Sequence, residues 1–353
     1  MPMVLDDLTA PVVLAPLAGG PSTPELAAVV SEAGGLGFLA SGYLSAEETR
    51  KRIAGVRGLT SRSFGVNVFV PDAGSPDQAH LDAYRERLRA WAEERSVEIG
   101  DPKRTDDDWD RKIELLTSDP VSVVSFTFGC PPSEVIDALR AAGSEVWVTV
   151  TNPDEAAQAR TAGADVLVTQ GAEAGGHRAS FVDRPGLPVY GLLSLLQILS
   201  RTESLPLVAS GGIATGPALA AVLCAGARAA QCGTAFMLCP EAGTSPAHRE
   251  VLRSTTETAL TRAFTGRLAR GIRNEFMDEH GDHAPIAYPE LHYMTAPMRR
   301  EARERGDADL INLWAGEAHQ LAEERPAAEV VQALVAGARE AISATRVSGA
   351  HPG

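Results

Sequence analysis

Short runs of apolar and β-branched residues recur along this chain. Each is followed by a turn of Gly, Pro or Ser, and most of these turns lead into a stretch with the three-and-four spacing of an amphipathic helix. Eight such runs start near Val12, Leu36, Phe64, Val121, Val146, Val166, Leu207 and Ala229. Several are apolar without alternation, the pattern of a strand covered on both faces. Helix starts fall between them. Ser22-Thr23-Pro24-Glu25, Ser45-Ala46-Glu47-Glu48, Asn152-Pro153-Asp154-Glu155 and Thr215-Gly216-Pro217 each offer a side-chain oxygen to an orphan helical N–H, and three of the four add a Pro near the first helical position. Helix ends repeat too: Ala33-Gly34, Ala142-Gly143, Ala162-Gly163 and Ala225-Gly226 each stand just ahead of a strand. Eight strands alternating with helices predict an α/β fold, a (β/α)8 TIM barrel rather than an open sheet.

Two segments break this rhythm. Residues 75–118 are helical in pattern and rich in charge (Arg85-Glu86-Arg87, Glu93-Glu94-Arg95, Asp106-Asp107-Asp108), which predicts a solvated helical excursion between the third and fourth strands. Residues 240–325 follow the last strand and are again mainly helical in pattern. The expected organisation is therefore a barrel over 1–239, a smaller helical substrate or lid domain over 240–325, and a segment 326–353 in which a helix from Val330 to Ile342 returns to cover the barrel before a tail.

Composition narrows the class. The 353 residues are 44% hydrophobic and 22% charged, an ordinary globular balance that supplies a sizeable core. A formal net charge of −14 disfavours nonspecific attraction to nucleic acid or an anionic membrane, while leaving room for a local basic patch. The four cysteines, Cys130, Cys224, Cys232 and Cys239, form no CxxC pair and have no His at zinc spacing, so no metal is expected. No leader-like or membrane-spanning run is visible, and a cytoplasmic location is expected. A homo-oligomer is compatible with all of this.

The candidate chemistry sits at strand ends. Ala164 to Thr169 reads as a buried strand, and Gln170-Gly171-Ala172-Glu173-Ala174-Gly175-Gly176-His177 as the loop that leaves it. The glycines permit close backbone approach to a ligand; the bland alternative is a long turn. Ser210-Gly211-Gly212 follows the seventh strand, and Gly233-Thr234 the eighth, where this fold commonly binds phosphate with backbone N–H groups. His177 is the candidate base, against the reading of a loop histidine that only bonds backbone; Glu173 is read as orienting the loop. His280, His283 and His292 are assigned surface or packing roles, and Cys130 is read as an ordinary loop cysteine rather than a reactive thiol.

Ala15-Pro16-Leu17-Ala18, Gly65-Val66-Asn67-Val68-Phe69, the Gln170–His177 loop, Ser210-Gly211-Gly212-Ile213 and Gln231-Cys232-Gly233-Thr234 together resemble the nitronate monooxygenase family, formerly called 2-nitropropane dioxygenases. The likeness extends into Phe264-Thr265-Gly266-Arg267-Leu268-Ala269-Arg270-Gly271 and Trp314-Ala315-Gly316, so it covers nearly the whole chain. It implies non-covalent FMN in the barrel, a nitronate or nitroalkane as small-molecule substrate and O2 as co-substrate. It further implies that Asn67, Gln170, Gly175, Gly176, Ser210, Gly211, Gly212 and Gln231 to Thr234 hold FMN, with Ala15, Pro16 and Leu17 along its ring. His177 would then remove an α-proton from a nitroalkane, or orient the anion of a preformed nitronate. Leu17 stands where the family often has Met, and Glu317 where it often has Gln; Cys130 is also unusual. The last two leave the substrate in question. The rival readings are an FMN-dependent NAD(P)H reductase of the same barrel group, acting on an enoyl thioester or quinone, and a flavin-binding protein without turnover. For the reductase, Arg299-Arg300 with Arg303 and Arg305 would form a basic entrance.

Overall fold

The computed structural model describes residues 3–71 and 74–345. Eight parallel strands form the barrel: β1 (Val12–Leu14), β2 (Gly37–Ala40), β3 (Phe64–Phe69), β4 (Val123–Thr127), β5 (Glu145–Val150), β6 (Val166–Gln170), β8 (Leu207–Ser210) and β9 (Ala229–Cys232). The intervening β7 (Gly176–His177) belongs elsewhere. Strand order runs β1-β9-β8-β6-β5-β4-β3-β2, and a parallel bridge between Val13 and Leu36 brings β2 back to β1. The eight expected strands are thus all present, within two residues of their expected starts.

The capping residues act as their chemistry dictates. Thr23, Ser45, Asn152 and Thr215 each accept a hydrogen bond from the N–H three residues on, and Ser45 with Glu48 completes a reciprocal capping box. Gly34, Gly143, Gly163 and Gly226 sit at φ of +89°, +103°, +102° and +106°, the left-handed stop that only Gly adopts freely. One barrel helix, Leu192–Thr202, lies in a segment whose Leu-rich run carries no clear start signal.

Alternation along the strands divides the barrel interior into two layers. Val13, Phe38, Val123, Trp147, Val166, Val208 and Ala229 fill the lower interior, with Leu5 of the N-terminal turn packed beneath. Gly65 belongs to the same layer because a Cβ there would lie 2.3 Å from the Phe38 ring. Two residues further on, the inward positions become polar: Asn67, Ser125, Thr149, Ser210 and Gln231 are buried. The outward-facing Val66, Val68, Val124, Phe126, Val148, Leu167 and Ala209 pack under the helices. The floor supplies apolar burial, and the C-terminal rim carries the chemistry.

The segment 75–118 is two structures rather than one excursion. Trp109–Ser118 is the helix between β3 and β4. Gln78–Arg95 instead buries Leu81, Tyr84, Leu88 and Trp91 against Phe264, Phe276, Leu291 and Met294 of the C-terminal unit. Its charges are solvated on one face only. The unit after β9 is helical in most of its ordered elements but adds β10 (Thr258–Thr261) and β11 (Ala269–Ile272). These pair antiparallel with each other, and β11 pairs in turn with β7. No helix among the described residues is long and apolar enough to cross a membrane.

The helix Ala327–Ala344 packs across Gly216–Cys224 on the outside of the barrel; the tail beyond residue 345 lies outside the described residues. The crossing is possible because Gly216 and Gly337 meet backbone to backbone, and a Cβ on Gly216 would lie 2.4 Å from the carbonyl carbon of Gly337. Gly216→Val is therefore expected to lower stability by ~1–3 kcal/mol through overpacking, read as a lower urea midpoint with an unchanged m-value.

Candidate active site

A cavity of about 390 Å³ opens at the C-terminal ends of the barrel strands, bounded on the other side by the C-terminal unit. Every residue that the sequence marked as a site lines it. Ala15, Pro16 and Leu17 follow β1, Asn67 lies on β3, and Gln170 ends β6. Gly175, Gly176 and His177 come from the glycine loop, Ser210, Gly211 and Gly212 from the end of β8, and Gln231 to Thr234 from the end of β9. Cys232 reaches the cavity through its backbone, since its side chain is buried beneath the helices with the outer core.

The glycine loop is held from three directions. Gln170 donates Nε2–H to the His177 carbonyl (3.1 Å) and accepts the Ala179 N–H (2.9 Å), so its amide is a strut across the loop. Both Glu173 carboxylate oxygens accept the N–H of Leu192 at 3.0 Å, at the start of the next helix. Glu173 therefore orients the loop, as its position in sequence suggested, and complements the helix dipole. The third tie is β11: Ala269 pairs with His177 and Arg270 with Gly176. Arg270 also donates Nε–H to the Ala172 carbonyl (2.9 Å) and pairs with Glu317 at 2.8 Å. Glu317 is thus a partner of the loop's clamp, and it does not line the cavity. Gly175 is required by close approach, as a Cβ there would stand 2.5 Å from the backbone of Ala315 and Gly316.

The loops after β8 and β9 present donors. Gly211 and Gly212 take φ of +123° and +66°. Among the described residues, the backbone N–H groups of Gly211, Gly212 and Thr234 have no protein acceptor, although all three residues line the cavity. Thr234 begins a short 3-10 turn, and its hydroxyl accepts the Gly316 N–H at 3.0 Å, leaving its own proton available. Unpaired amides at the ends of two neighbouring strands are chemically suited to receive an anion. Asn67, by contrast, directs its amide at Ser125 Oγ (2.9 Å) and Thr127 Oγ1 (3.0 Å), so its Nδ2 braces the polar ceiling.

His177 projects into an aromatic enclosure. The rings of Phe128, Tyr288 and Trp314 each lie 5.6 Å from its own, and its Nε2 is 2.9 Å from Thr265 Oγ1. Burial, then the positive charges of Arg267 and Arg299, push its pKa down to about 3. The imidazole is neutral throughout the physiological range. Tyr43 and Phe128 hold left-handed φ of +67° and +76° while lining the cavity, local strain of the kind found at binding sites.

Helix Glu290–Arg305 contributes part of the cavity wall. His292, assigned to packing or surface, stacks on Tyr43 with ring centroids 3.9 Å apart and lines the cavity. Arg299 and Arg303, expected at an exterior entrance, point inward, whereas Arg300 and Arg305 are exposed. Arg299 donates to the His292 carbonyl (2.6 Å) and Thr295 Oγ1 (3.1 Å); Arg303 donates to Asn312 Oδ1 (2.7 Å). Neither has a carboxylate partner among the described residues. Burial and Arg303 lower the Arg299 guanidinium to about 10, still cationic near neutrality. The spacing 292, 295, 299, 303 marks one helical face and was the available signal. Tyr43, Phe128 and Asn312 had none, because they are brought in by loop geometry. His280 is buried in the core of the C-terminal unit against Trp91, and His283 is exposed, as packing and surface roles require. Cys130 stays outside the cavity, and burial raises its thiol to about 11.

Comparison with known proteins bears on this site directly. The family model described as nitronate monooxygenase matches residues 3–337. The nitronate monooxygenase of Pseudomonas aeruginosa is 41% identical over 336 residues, covering 92% of this chain and 95% of that protein. Among solved structures, the nitroalkane oxidase of Streptomyces ansochromogenes superimposes with a TM-score of 0.93 at 47% identity, covering 97% of this chain and 99% of the other. FabK from Thermotoga maritima follows at a TM-score of 0.76 and 26% identity, covering 96% of each chain. With a barrel whose rim carries the glycine loop, the unpaired amides and His177 in one cavity, and with that match spanning almost its full length, the chain belongs to the nitronate monooxygenase family of oxidoreductases.

Proposed function

We propose that this protein oxidises alkyl nitronates with O2, using non-covalently bound FMN, and that it takes its substrate as the anion. The observation that carries the last point is the pair of inward-facing guanidiniums, Arg299 and Arg303, without a carboxylate partner among the described residues. A buried cation with no counter-ion costs several kcal/mol, and an anionic ligand offsets that cost.

The residues present suit FMN. The unpaired amides of Gly211, Gly212 and Thr234 fit a phosphate, and a cavity near 390 Å³ lies within the range of cofactor sites. Ala15, Pro16 and Leu17 would flank the ring, with Gln170, Gly175 and Gly176 on the facing loop. FMN when bound supplies the redox chemistry with O2. The protein's own part is binding and electrostatics: Arg299 and Arg303 neutralise the anion, Phe128, Tyr288 and Trp314 exclude water, and His177 directs it.

The depressed basicity of His177 supports the second of the two roles left open by the sequence, orienting the anion. An imidazole whose conjugate acid ionises near pH 3 is a weak acceptor for a carbon-bound proton. A neutral ring can still donate an N–H to a nitronate oxygen. Because the folded-state value lies far below 6.5, His177 stays neutral as pH falls through 6, and kcat/KM for a preformed nitronate is expected to stay level between pH 5 and 8. An acid limb near 6.5 would restore a titrating base.

The direct test is the absorbance of the purified protein, followed by anaerobic mixing with an alkyl nitronate and, separately, with NADH. Flavin bleaching by the nitronate alone supports the reading. Bleaching by NADH alone would reassign the protein as a reductase, and no flavin would remove the cofactor. Arg299→Met is expected to retain flavin and raise KM for the nitronate about ten- to hundredfold, the loss of one charge-assisted contact.

A further inference from the structure

Thr265 lies in the turn between β10 and β11 and is buried, with 1% of its surface exposed. The turn around it is fixed. Arg262 and the Leu268 N–H both bond Asp183, Gly266 takes φ of +75°, and Thr295 donates to the Phe264 carbonyl. The Thr265 hydroxyl has one proton and two acceptors within reach, His177 Nε2 at 2.9 Å and the Arg267 carbonyl at 3.2 Å. The Arg267 N–H approaches the same hydroxyl oxygen at 3.4 Å and takes one of its two lone pairs. Of the two acceptors the imidazole nitrogen is the nearer, and the shorter contact favours it as the destination of the hydroxyl proton. An Nε2 that accepts is unprotonated, so the ring proton of neutral His177 sits on Nδ1. Nδ1 has no hydrogen-bond partner among the described residues and is not sealed from solvent, and His177 lines the cavity.

We infer that Thr265 is a positioning residue that fixes His177 as the Nδ1–H tautomer, so that the cavity receives an N–H donor rather than a lone pair and selects the nitronate anion over the neutral nitroalkane. This rests on the anionic-substrate reading above and adds how the choice is made. With the opposite tautomer, a bare nitrogen would face the nitronate oxygens, lone pair against lone pair. The device needs no proton transfer: the imidazole donates one hydrogen bond from Nδ1 and accepts one at Nε2. It also explains why a histidine so hard to protonate is useful, since its donor strength does not depend on carrying charge.

The test is 15N NMR of histidine-labelled holoprotein, with the His177 ring signals identified by their loss in His177→Asn. The expected result is a protonated Nδ1 and an unprotonated Nε2 in the wild type. Thr265→Val should retain flavin, move the ring signals toward the other tautomer, and cut kcat/KM for an alkyl nitronate about ten- to hundredfold. Activity on the neutral nitroalkane should fall less or rise. Thr265→Ser should restore both the tautomer and most of the rate, which a purely steric role for Thr265 would not predict. A protonated Nε2 in the wild type overturns the inference without recourse to any variant, as does a Thr265→Val protein with unchanged ring signals and kinetics. Should the wild type show Nδ1–H yet turn over no nitronate, the tautomer assignment to Thr265 would stand and the functional reading would fall.

Discussion

The two-residue ladder between β7 and β11 is the constraint on which the site depends. A glycine loop leaving a barrel strand has little intrinsic order, because Gly171, Gly175 and Gly176 carry no side chain to hold it. Pairing Ala269 with His177 and Arg270 with Gly176 turns the end of that loop into a strand of another sheet. The same stretch of β11 is continuous with the turn that carries Thr265 and Arg267, so the partner of the imidazole and the cation near it arrive with the ladder. The C-terminal unit is thereby more than a cover. It fixes the backbone of His177, packs the Tyr288 and Trp314 rings against its imidazole, and presents Arg299 and Arg303 to the cavity. Substitutions in β11 should be felt at the loop before they are felt in the barrel.

A chain with net charge −14 repels anions at a distance, yet Arg267 and Arg299 act on the His177 imidazole and Arg299 and Arg303 on that of His292. These facts act over different ranges. Exposed acidic groups are screened within about 10 Å at moderate salt, whereas Arg267 and Arg299 act through a protein interior where charge is poorly screened. Arg267 is accounted for internally: it bonds the Arg178 and Ser180 carbonyls and lies 4.2 Å from the Phe128 ring centroid. Arg299 and Arg303 use carbonyl, hydroxyl and amide acceptors, all neutral.

Much of the barrel was legible because its signals are local. A cap residue, a left-handed Gly and a run of apolar residues need only their neighbours to act, and these recurred often enough to count eight strands. The rim residues were legible for a related reason: in this fold, strand ends are functional positions, so a motif found there carries its location with it. What could not be read came from long-range assembly. The helix at Gln78–Arg95 looked solvated because half its surface is charged, but Tyr84 and Trp91 were waiting for partners almost 200 residues away. His292 and Arg299 were seven residues apart on one helical face, a spacing that announces a stripe without saying whether it faces solvent or a cavity. Only the stacking on Tyr43, held by the loop after β2, decides that.

The site also shows that an identified residue does not settle its role. A histidine in a glycine loop at a barrel rim suggests a base, but burial and the cations near His177 push its pKa down and favour the neutral ring. Those same surroundings strengthen hydrogen bonds to an anion, since a donor in a low-dielectric, preorganised site has no reorganisation to undergo. The two tasks make opposite demands: proton abstraction needs the imidazolium to be affordable, whereas anion selection needs positive charge nearby and an N–H held in place. Arg267 and Arg299 lower the basicity of His177, and on the proposed anionic substrate they would meet the second demand at the expense of the first. The chemistry of the loop is thus set less by His177 itself than by what the second unit places around it.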